Sequence, residues 1–214
     1  MISPGFYVLI CGVGVIAYFF AGYHAHERGR LLSKMCASAA FVLCAVEMGA
    51  TDTTAGILIL LGLVASLVGD FFLLRSETHF MEGVYSFVVA HLLYAAGFVA
   101  SGLDLSGVGF GLVIFAPVAW AIWSWVKPHT GDMFKHITLY ICLIFLMTIL
   151  ALSACWDDPG KGQQLLLVSA VVFCASDVLV ARQKFVHPQT INEVVGLPVY
   201  YAAQLGFAFG AGLL

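Results

Sequence analysis

The sequence places a few ionisable side chains inside otherwise apolar segments, and two aspartates stand out among them. Asp70 and Asp177 each interrupt an apolar segment, and each precedes an arginine, Arg75 or Arg182, by five positions. An ionisable group within a membrane span is energetically expensive and marks a functional site by default. Two carboxyl groups at one depth suit acid/base hydrolysis. Burial disfavours the charged form, so one group can hold a proton while its partner acts as a base.

Small hydroxylated residues accompany both carboxyl groups. Ser66 lies one helical turn before Asp70 on the same face, and Ser176 is adjacent to Asp177 in the sequence. We therefore expect both serines to contribute to the site that the aspartates form.

Two further segments carry polar side chains at the same expected depth. One of them presents a stripe on a single helical face, with spacings of four, three and four: Phe87, His91, Tyr94 and Phe98. The phenylalanines predict packing, whereas His91 is the only histidine inside a span. The last apolar segment adds three polar side chains one to two turns from its start: Tyr200, Tyr201 and Gln204.

The composition shows what kind of protein must position these residues. Of the 214 residues, 62% are hydrophobic and only 10% are charged, and the mean hydropathy is +1.01. Soluble domains are about 45–50% apolar and about 25% charged. The net charge of −3 leaves no basic surface for nucleic acid. Soluble enzymes, disulfide scaffolds and disordered chains are excluded, and a polytopic membrane protein is predicted.

Eight apolar segments have the length of a membrane-crossing helix, which needs about 20 residues. An all-α bundle of eight transmembrane helices is expected, because a lipid-exposed backbone must satisfy its own hydrogen bonds. The connections are short, so residues 1–214 form a single membrane-embedded domain. The predicted spans are 4–22, 33–50, 55–75, 83–101, 106–126, 134–153, 163–181 and 193–213.

The basic residues predict the orientation of this bundle. The even-numbered connections carry only Lys161, whereas the odd-numbered ones carry eight basic residues: Arg28, Arg30, Lys34, Arg75, Lys127, Lys135, Arg182 and Lys184. Cytoplasmic loops are enriched in Lys and Arg, so both termini are expected on the non-cytoplasmic side. Asp70 and Asp177 then lie near the cytoplasmic boundary. A bacterial inner membrane is the predicted location.

Metal and nucleophile chemistry receive little support from the sequence. A zinc hydrolase needs about three protein ligands, commonly His-rich, and only His91 is embedded. The sequence contains no HExxH, GxSxG or phosphate-binding glycine loop. All six cysteines fall within or at the ends of apolar spans, as small buried hydrophobes do. No metal and no cofactor are predicted, and the oligomeric state is left open.

The polar motifs, taken together, resemble the YhhN family of membrane lysoplasmalogenases. Similarity to this family lies in residues 66–74 (SLVGDFFLL), 173–181 (FCASDVLVA) and 200–204 (YYAAQ), and in the stripe described above. Tyr140 and Met147 also fit. The resemblance runs from about Lys34 to the C-terminus in the family's order. It departs at Met35, where the family usually has proline after the lysine, and in the stretch after Phe185.

The resemblance implies hydrolysis of the vinyl ether of a lysoplasmalogen, giving a fatty aldehyde and glycerophosphoethanolamine or glycerophosphocholine. It implies Asp70 and Asp177 as the acid/base pair, with the two roles left unassigned between them. The remaining residues are expected to position water and the substrate: Ser66, Ser176, His91, Tyr94, Tyr200, Tyr201 and Gln204. Arg75 and Arg182 are the candidates for meeting the phosphate. The expected partners are this lysophospholipid and the lipid bilayer.

Two other classes of protein remain open. Embedded carboxylates also mark ion pathways, so a small-solute or proton-coupled transporter is the alternative. The sequence offers no inverted repeat and no matching pair of Gly/Pro-broken segments in its favour. A lipid-binding or receptor-like bundle, in which the two aspartates only hold helices together, is the third possibility.

Overall fold

The fold was obtained as a computed structural model, which describes residues 3–157 and 159–214, with the side chains of residues 76 and 77 left out. Within these residues the chain folds into eight α-helices. Their bounds are Pro4–Tyr23 (α1), Glu27–Glu47 (α2), Thr54–Leu73 (α3), Ser76–Ala100 (α4), Leu105–Val126 (α5), Phe134–Ala154 (α6), Lys161–Ala181 (α7) and Thr190–Ala211 (α8). All eight are long and apolar enough to cross a membrane. The prediction of an all-α bundle is confirmed, and the eight helices of the described residues match the eight predicted spans in number.

Two helices begin six or seven residues earlier than the hydropathy of the sequence predicts. α2 starts at Glu27 rather than at 33, because the ring nitrogen of His26 accepts a hydrogen bond from Gly29 N at 2.9 Å and caps the helix. α4 starts at residue 76 rather than at 83, and its backbone leaves helical geometry at His79 (φ −128°, ψ 26°). Charged residues end an apolar run but do not end a helix.

Neighbouring helices in the sequence pack as antiparallel pairs, and α8 lies at the centre of the bundle. α8 contacts α1, α2, α3 and α7, while α5 packs mainly against α6. The pair α3–α4 is especially close. A Cβ added at Gly69 would lie 2.6 Å from the ring of Phe87, so only glycine allows this approach.

One end of the bundle gathers most of the basic side chains. α1, α3, α5 and α7 end there, and α2, α4, α6 and α8 begin there. We call it the basic end. It is marked by Arg28, Arg30, Arg75, Lys127, Lys135, Arg182 and Lys184.

Candidate active site

A large cavity enters the bundle from the basic end. Its volume is about 1030 Å³, and all eight helices contribute to its wall. Pockets for small ligands typically measure about 300–1,000 Å³. Exposed Arg28 and Arg75 line its outer part, whereas Asp70 and Asp177 lie deeper in its wall. The two carboxyl groups that the sequence singled out therefore border one cavity.

One ammonium group and two hydroxyl groups surround the carboxylate of Asp70. Lys34 Nζ lies 3.1 Å from its Oδ1, and the hydroxyls of Ser38 and Tyr200 each donate to its Oδ2 at 2.7 Å. Asp70 is 1% exposed and Lys34 is 8% exposed, so this ion pair is buried. Charge-assisted hydrogen bonds of this kind are shorter and stronger than those between neutral groups. We call these four residues the Asp70 cluster.

Three helices deliver the Asp70 cluster. Lys34 and Ser38 are four residues apart on one face of α2, Asp70 lies in the last turn of α3, and Tyr200 lies on α8. Tyr201 supports the cluster from behind, since its hydroxyl donates to the carbonyl of Lys34 at 3.1 Å and lies 3.0 Å from Ser38 Oγ.

Asp177 has different neighbours, which come from α4 and α6. His91 Nε2 lies 3.4 Å from Asp177 Oδ2, and the Tyr140 hydroxyl also interacts with this carboxyl group. The His91 ring stacks on Phe173, with centroids 4.9 Å apart and planes 19° apart. Tyr140 meets the same imidazole edge-on at 5.2 Å. His91, Tyr140 and Asp177 form what we call the Asp177 cluster.

The geometry around His91 fixes where protons lie in the Asp177 cluster. His91 Nδ1 is 2.5 Å from the carbonyl oxygen of Phe87, and a carbonyl only accepts, so Nδ1 carries a hydrogen. In neutral imidazole Nε2 then has only a lone pair. Nε2 and Asp177 Oδ2 are both buried without a hydrogen-bond partner among the described residues. A proton between these two atoms would satisfy both of them.

Aromatic rings connect the two clusters. Phe173 contacts His91 and also lies 5.8 Å from Tyr200, while Phe87 lies 6.0 Å from Tyr200. These rings exclude water from the space behind both carboxyl groups. A dry wall strengthens electrostatic interactions at the site.

The other predicted site residues fall into a separate, deeper network. The Tyr94 hydroxyl donates to Gln204 Oε1 at 2.7 Å and lies 3.2 Å from Ser66 Oγ. All three side chains are fully buried and do not line the cavity. Gln204 Nε2 has no hydrogen-bond partner among the described residues. This network packs beneath the site rather than facing it.

The remaining predicted residues divide between the cavity and its surroundings. Ser176 lines the cavity, but its hydroxyl donates to the Phe173 carbonyl of its own helix at 2.8 Å. Arg75 lines the outer cavity and stacks over Phe71. Arg182 does not line the cavity, since its guanidinium donates to Asn192 and to Gln189 at the start of α8.

Lys34 is the main site residue that the sequence interpretation missed. It was counted among the loop cations because it lies at the edge of an apolar run, where a lysine normally extends to water. Its spacing from Ser38, Phe41 and Ala45 is the signal that could have revealed it. These residues repeat at intervals of four, three and four, and all of them are buried.

A second part of the cavity is apolar. Its side chains come from α5 and α6: Ile122, Ile137, Ile141, Ile144 and Phe145. This arm begins at Tyr140, next to Asp177. A hydrocarbon chain placed there would bring an adjoining bond to the carboxyl groups.

Potential metal ligands are sparse in the same region. In the part of the chain that the structure describes, no group of three or more His, Cys, Asp or Glu side chains could hold a metal ion. The donors at the site are arranged in pairs with other side chains instead, as in Lys34–Asp70 and His91–Asp177.

The fold and the cavity define a polytopic membrane protein with two buried carboxyl groups in a half-polar, half-apolar site. Residues 29–211 match the YhhN family, and the chain belongs to that family. The family assignment made from the motifs is confirmed. α1 lies outside the matched residues.

Curated relatives carry a consistent name. The chain is 29% identical over 163 residues to lysoplasmalogenase TMEM86A of Bos taurus and 28% identical over 163 residues to TMEM86A of Homo sapiens. In both comparisons the match covers 72% of this chain and 64% of the relative. Lysoplasmalogenase TMEM86B of Sus scrofa is 29% identical over 144 residues, 67% of this chain and 58% of the relative. The chain thus spans less than two thirds of the length of these relatives. No solved structure matches it.

Proposed function

We propose that this protein is a lysoplasmalogenase, which hydrolyses the vinyl ether of a lysoplasmalogen to a fatty aldehyde and a glycerophospho-base. The observation that carries the proposal is the single cavity bordered by Asp70 and Asp177 in unlike surroundings. Family membership and the names of the relatives support the substrate class. Acid and base are both side chains of the chain itself, so the mechanism requires no metal.

Asp177 with His91 supplies the acid. A vinyl ether is cleaved by protonation at its β-carbon, and the Asp177 cluster holds the one proton that its geometry requires. The proton moves to carbon, the double-bond pair forms the new C–H bond, and an oxocarbenium ion results. The Asp177–His91 pair is then left with one negative charge beside that cation, which stabilises it.

Asp70 supplies the base. Its carboxylate pairs with Lys34 and accepts hydrogen bonds from Ser38 and Tyr200. Water attacks the oxocarbenium carbon and gives a proton to Asp70, and a hemiacetal forms. Asp70 then returns that proton to the departing glycerol oxygen, while the Asp177–His91 pair takes the hemiacetal hydroxyl proton. Aldehyde and alcohol are released with both clusters restored.

The substrate enters from the basic end, and its alkenyl chain occupies the apolar arm beside Tyr140. From the positive-inside distribution we infer that this end faces the cytoplasm and that both termini lie on the other side. The proposed location is a bacterial inner membrane.

The direct test is aldehyde release from lysoplasmenylethanolamine by the purified protein in detergent. In heavy water, protonation at carbon predicts one deuterium at carbon 2 of the aldehyde. Asp177→Asn and Asp70→Asn should each lower the rate by about 10²- to 10⁴-fold, the usual contribution of a positioned acid or base. Asp132→Asn, in an exposed turn between α5 and α6, is the matched control and should keep full activity.

Three outcomes would contradict the proposal. If folded wild-type protein releases no aldehyde, the proposed activity is refuted, and solute flux in vesicles would then favour the transporter. Full turnover by both folded Asn variants would refute the assignment of the site. Aldehyde without deuterium at carbon 2 would refute protonation at carbon.

A further inference from the structure

A second polar cluster lies at the mouth of the same cavity. Arg30 Nη2 is 3.1 Å from Glu193 Oε1, the Tyr18 hydroxyl donates to that oxygen at 2.5 Å, and Arg30 also donates to the Tyr18 hydroxyl. The guanidinium lies over the Tyr18 ring, 4.6 Å from its centroid. All three residues line the cavity. We call Tyr18, Arg30 and Glu193 the mouth triad.

We infer that the mouth triad binds a zwitterionic phosphoethanolamine head group, with Arg30 taking the phosphate and Glu193 taking the ammonium. This inference deepens the proposed function and rests on it. It moves the head-group site from Arg75 and Arg182, the two candidates that the sequence gave, to helices α1, α2 and α8; of those two arginines only Arg75 lines the cavity.

Unsatisfied hydrogen-bonding capacity supports a ligand at Arg30. A guanidinium has five N–H donors. Within the described parts of the chain Arg30 donates only from Nη2, to Tyr18 and Glu193, and its side chain is 38% exposed in the cavity wall. Its other exposed N–H groups can donate to a ligand, and a phosphate oxygen is an acceptor that arginine binds strongly.

Charge at the mouth suits a zwitterion rather than a simple anion. Arg28 and Arg30 stand beside Glu27 and Glu193 in the cavity wall. Side chains of both signs therefore line the same cavity. The carboxylates would repel a phosphate alone, whereas a phosphate joined to an ammonium is complementary to both the basic and the acidic side chains.

The spacing along the helices agrees with the length of the substrate. Arg30 precedes Lys34 by four residues on one face of α2, a rise of about 6 Å. The vinyl ether oxygen and the phosphorus of a lysoplasmalogen are separated by five single bonds, roughly 6 Å when extended. On α8, Glu193 precedes Tyr200 by seven residues, about 10 Å, which accommodates the more distant ammonium. A head group on the mouth triad thus places the ether at the Asp70 cluster.

Three vinyl ethers that differ only in the head group test the inference: lysoplasmenylethanolamine, 1-alkenylglycerol phosphate and 1-alkenylglycerol. Arg30→Gln should raise KM at least tenfold for the two phosphate-bearing substrates and leave 1-alkenylglycerol unchanged. Glu193→Gln should raise KM for the ethanolamine substrate alone. Lys135→Gln is the control, because Lys135 is exposed at the same end and does not line the cavity.

A merely structural role for the mouth triad gives a different pattern. Arg30→Gln would then change kcat/KM for all three substrates by one factor, and that result overturns the inference. Arg30→Lys keeps a positive charge and should restore much of the phosphate preference. If Arg30→Gln does not fold, Glu193→Gln and Arg30→Lys still decide the matter, since equal effects on all head groups overturn the inference.

Equilibrium binding separates this inference from the proposed function. Lysophosphatidylethanolamine has the same head group but an ester in place of the vinyl ether, and its binding can be measured in detergent without turnover. Arg30-dependent binding with no aldehyde from any vinyl ether would defeat the proposed function alone. Hydrolysis with the same kcat/KM for all head groups would refute the inference alone.

Discussion

Lys34→Met tests whether the buried ion pair with Asp70 holds the site together. The variant keeps the length and apolar stem of the side chain but removes the ammonium 3.1 Å from Asp70 Oδ1. Both side chains are almost completely buried, so solvent compensates poorly for the lost charge. Removing one partner of a buried pair costs about 3–5 kcal/mol. The free energy of unfolding, measured by SDS titration in mixed micelles, should fall by about that amount.

The double variant Lys34→Met/Asp70→Asn distinguishes an unpaired charge from a packing defect. With both charges gone, stability should return to within about 1 kcal/mol of the wild type, while hydrolysis stays at least about 10²-fold slower than in the wild type. Lys161→Met, on an exposed lysine at the opposite end, should change stability by less than about 0.5 kcal/mol. A loss below about 1 kcal/mol in the single variant, or no recovery in the double variant, would refute the ion-pair argument.

Two further predictions concern the scaffold. Gly69→Ala would place a Cβ 2.6 Å from the Phe87 ring and should destabilise the protein by about 1–3 kcal/mol. The control Gly109→Ala places its Cβ in open space and should be neutral. Equal effects of the two substitutions on the free energy of unfolding would contradict the packing argument. Hydrogen bonds from backbone N–H groups at the start of α5, that of Gly107 foremost, hold the pKa of Asp104 below its usual range. Asp104 therefore stabilises α5 fully above its unfolded pKa of about 3.9, and this contribution disappears as pH falls through the lower folded pKa. Asp104→Ala should lower Tm at neutral pH, and the difference should shrink below about pH 4; a pH-independent difference would contradict it.

The spans could be predicted because hydropathy and length are local properties of the sequence. Each apolar run must be helical in a bilayer, and short connections make neighbours antiparallel. That topology alone brings the ends of α3 and α7 to one end of the bundle, which is why Asp70 and Asp177 could be expected together. Helix starts were less predictable, since a histidine cap at His26 and a bend at His79 leave no trace in hydropathy.

Partner choice could not be read from the sequence, because it depends on which helix faces meet. Tyr18 and Glu193 are 175 residues apart, and Lys34 finds Asp70 across 36 positions. Ser66 shares a face with Asp70 as expected, yet its hydroxyl lies against Tyr94. Helical spacing gives the face of a residue, whereas the rotation of neighbouring helices decides its contact.

In the proposed mechanism, the unlike surroundings of the two aspartates decide their roles, which residue type and depth left open. Asp70 meets an ammonium and two hydroxyl donors, which are suitable partners for a carboxylate that accepts a proton from water. Asp177 meets an imidazole nitrogen whose ring partner already holds its hydrogen on the Phe87 carbonyl, an arrangement that can hold a proton between the two side chains. We therefore expect a proton donor and a proton acceptor to border one cavity before any substrate arrives. Lys34→Met removes the cationic partner of Asp70, and His91→Phe removes the imidazole partner of Asp177. Either substitution should abolish turnover, because each removes a partner on which one of the two proposed roles depends.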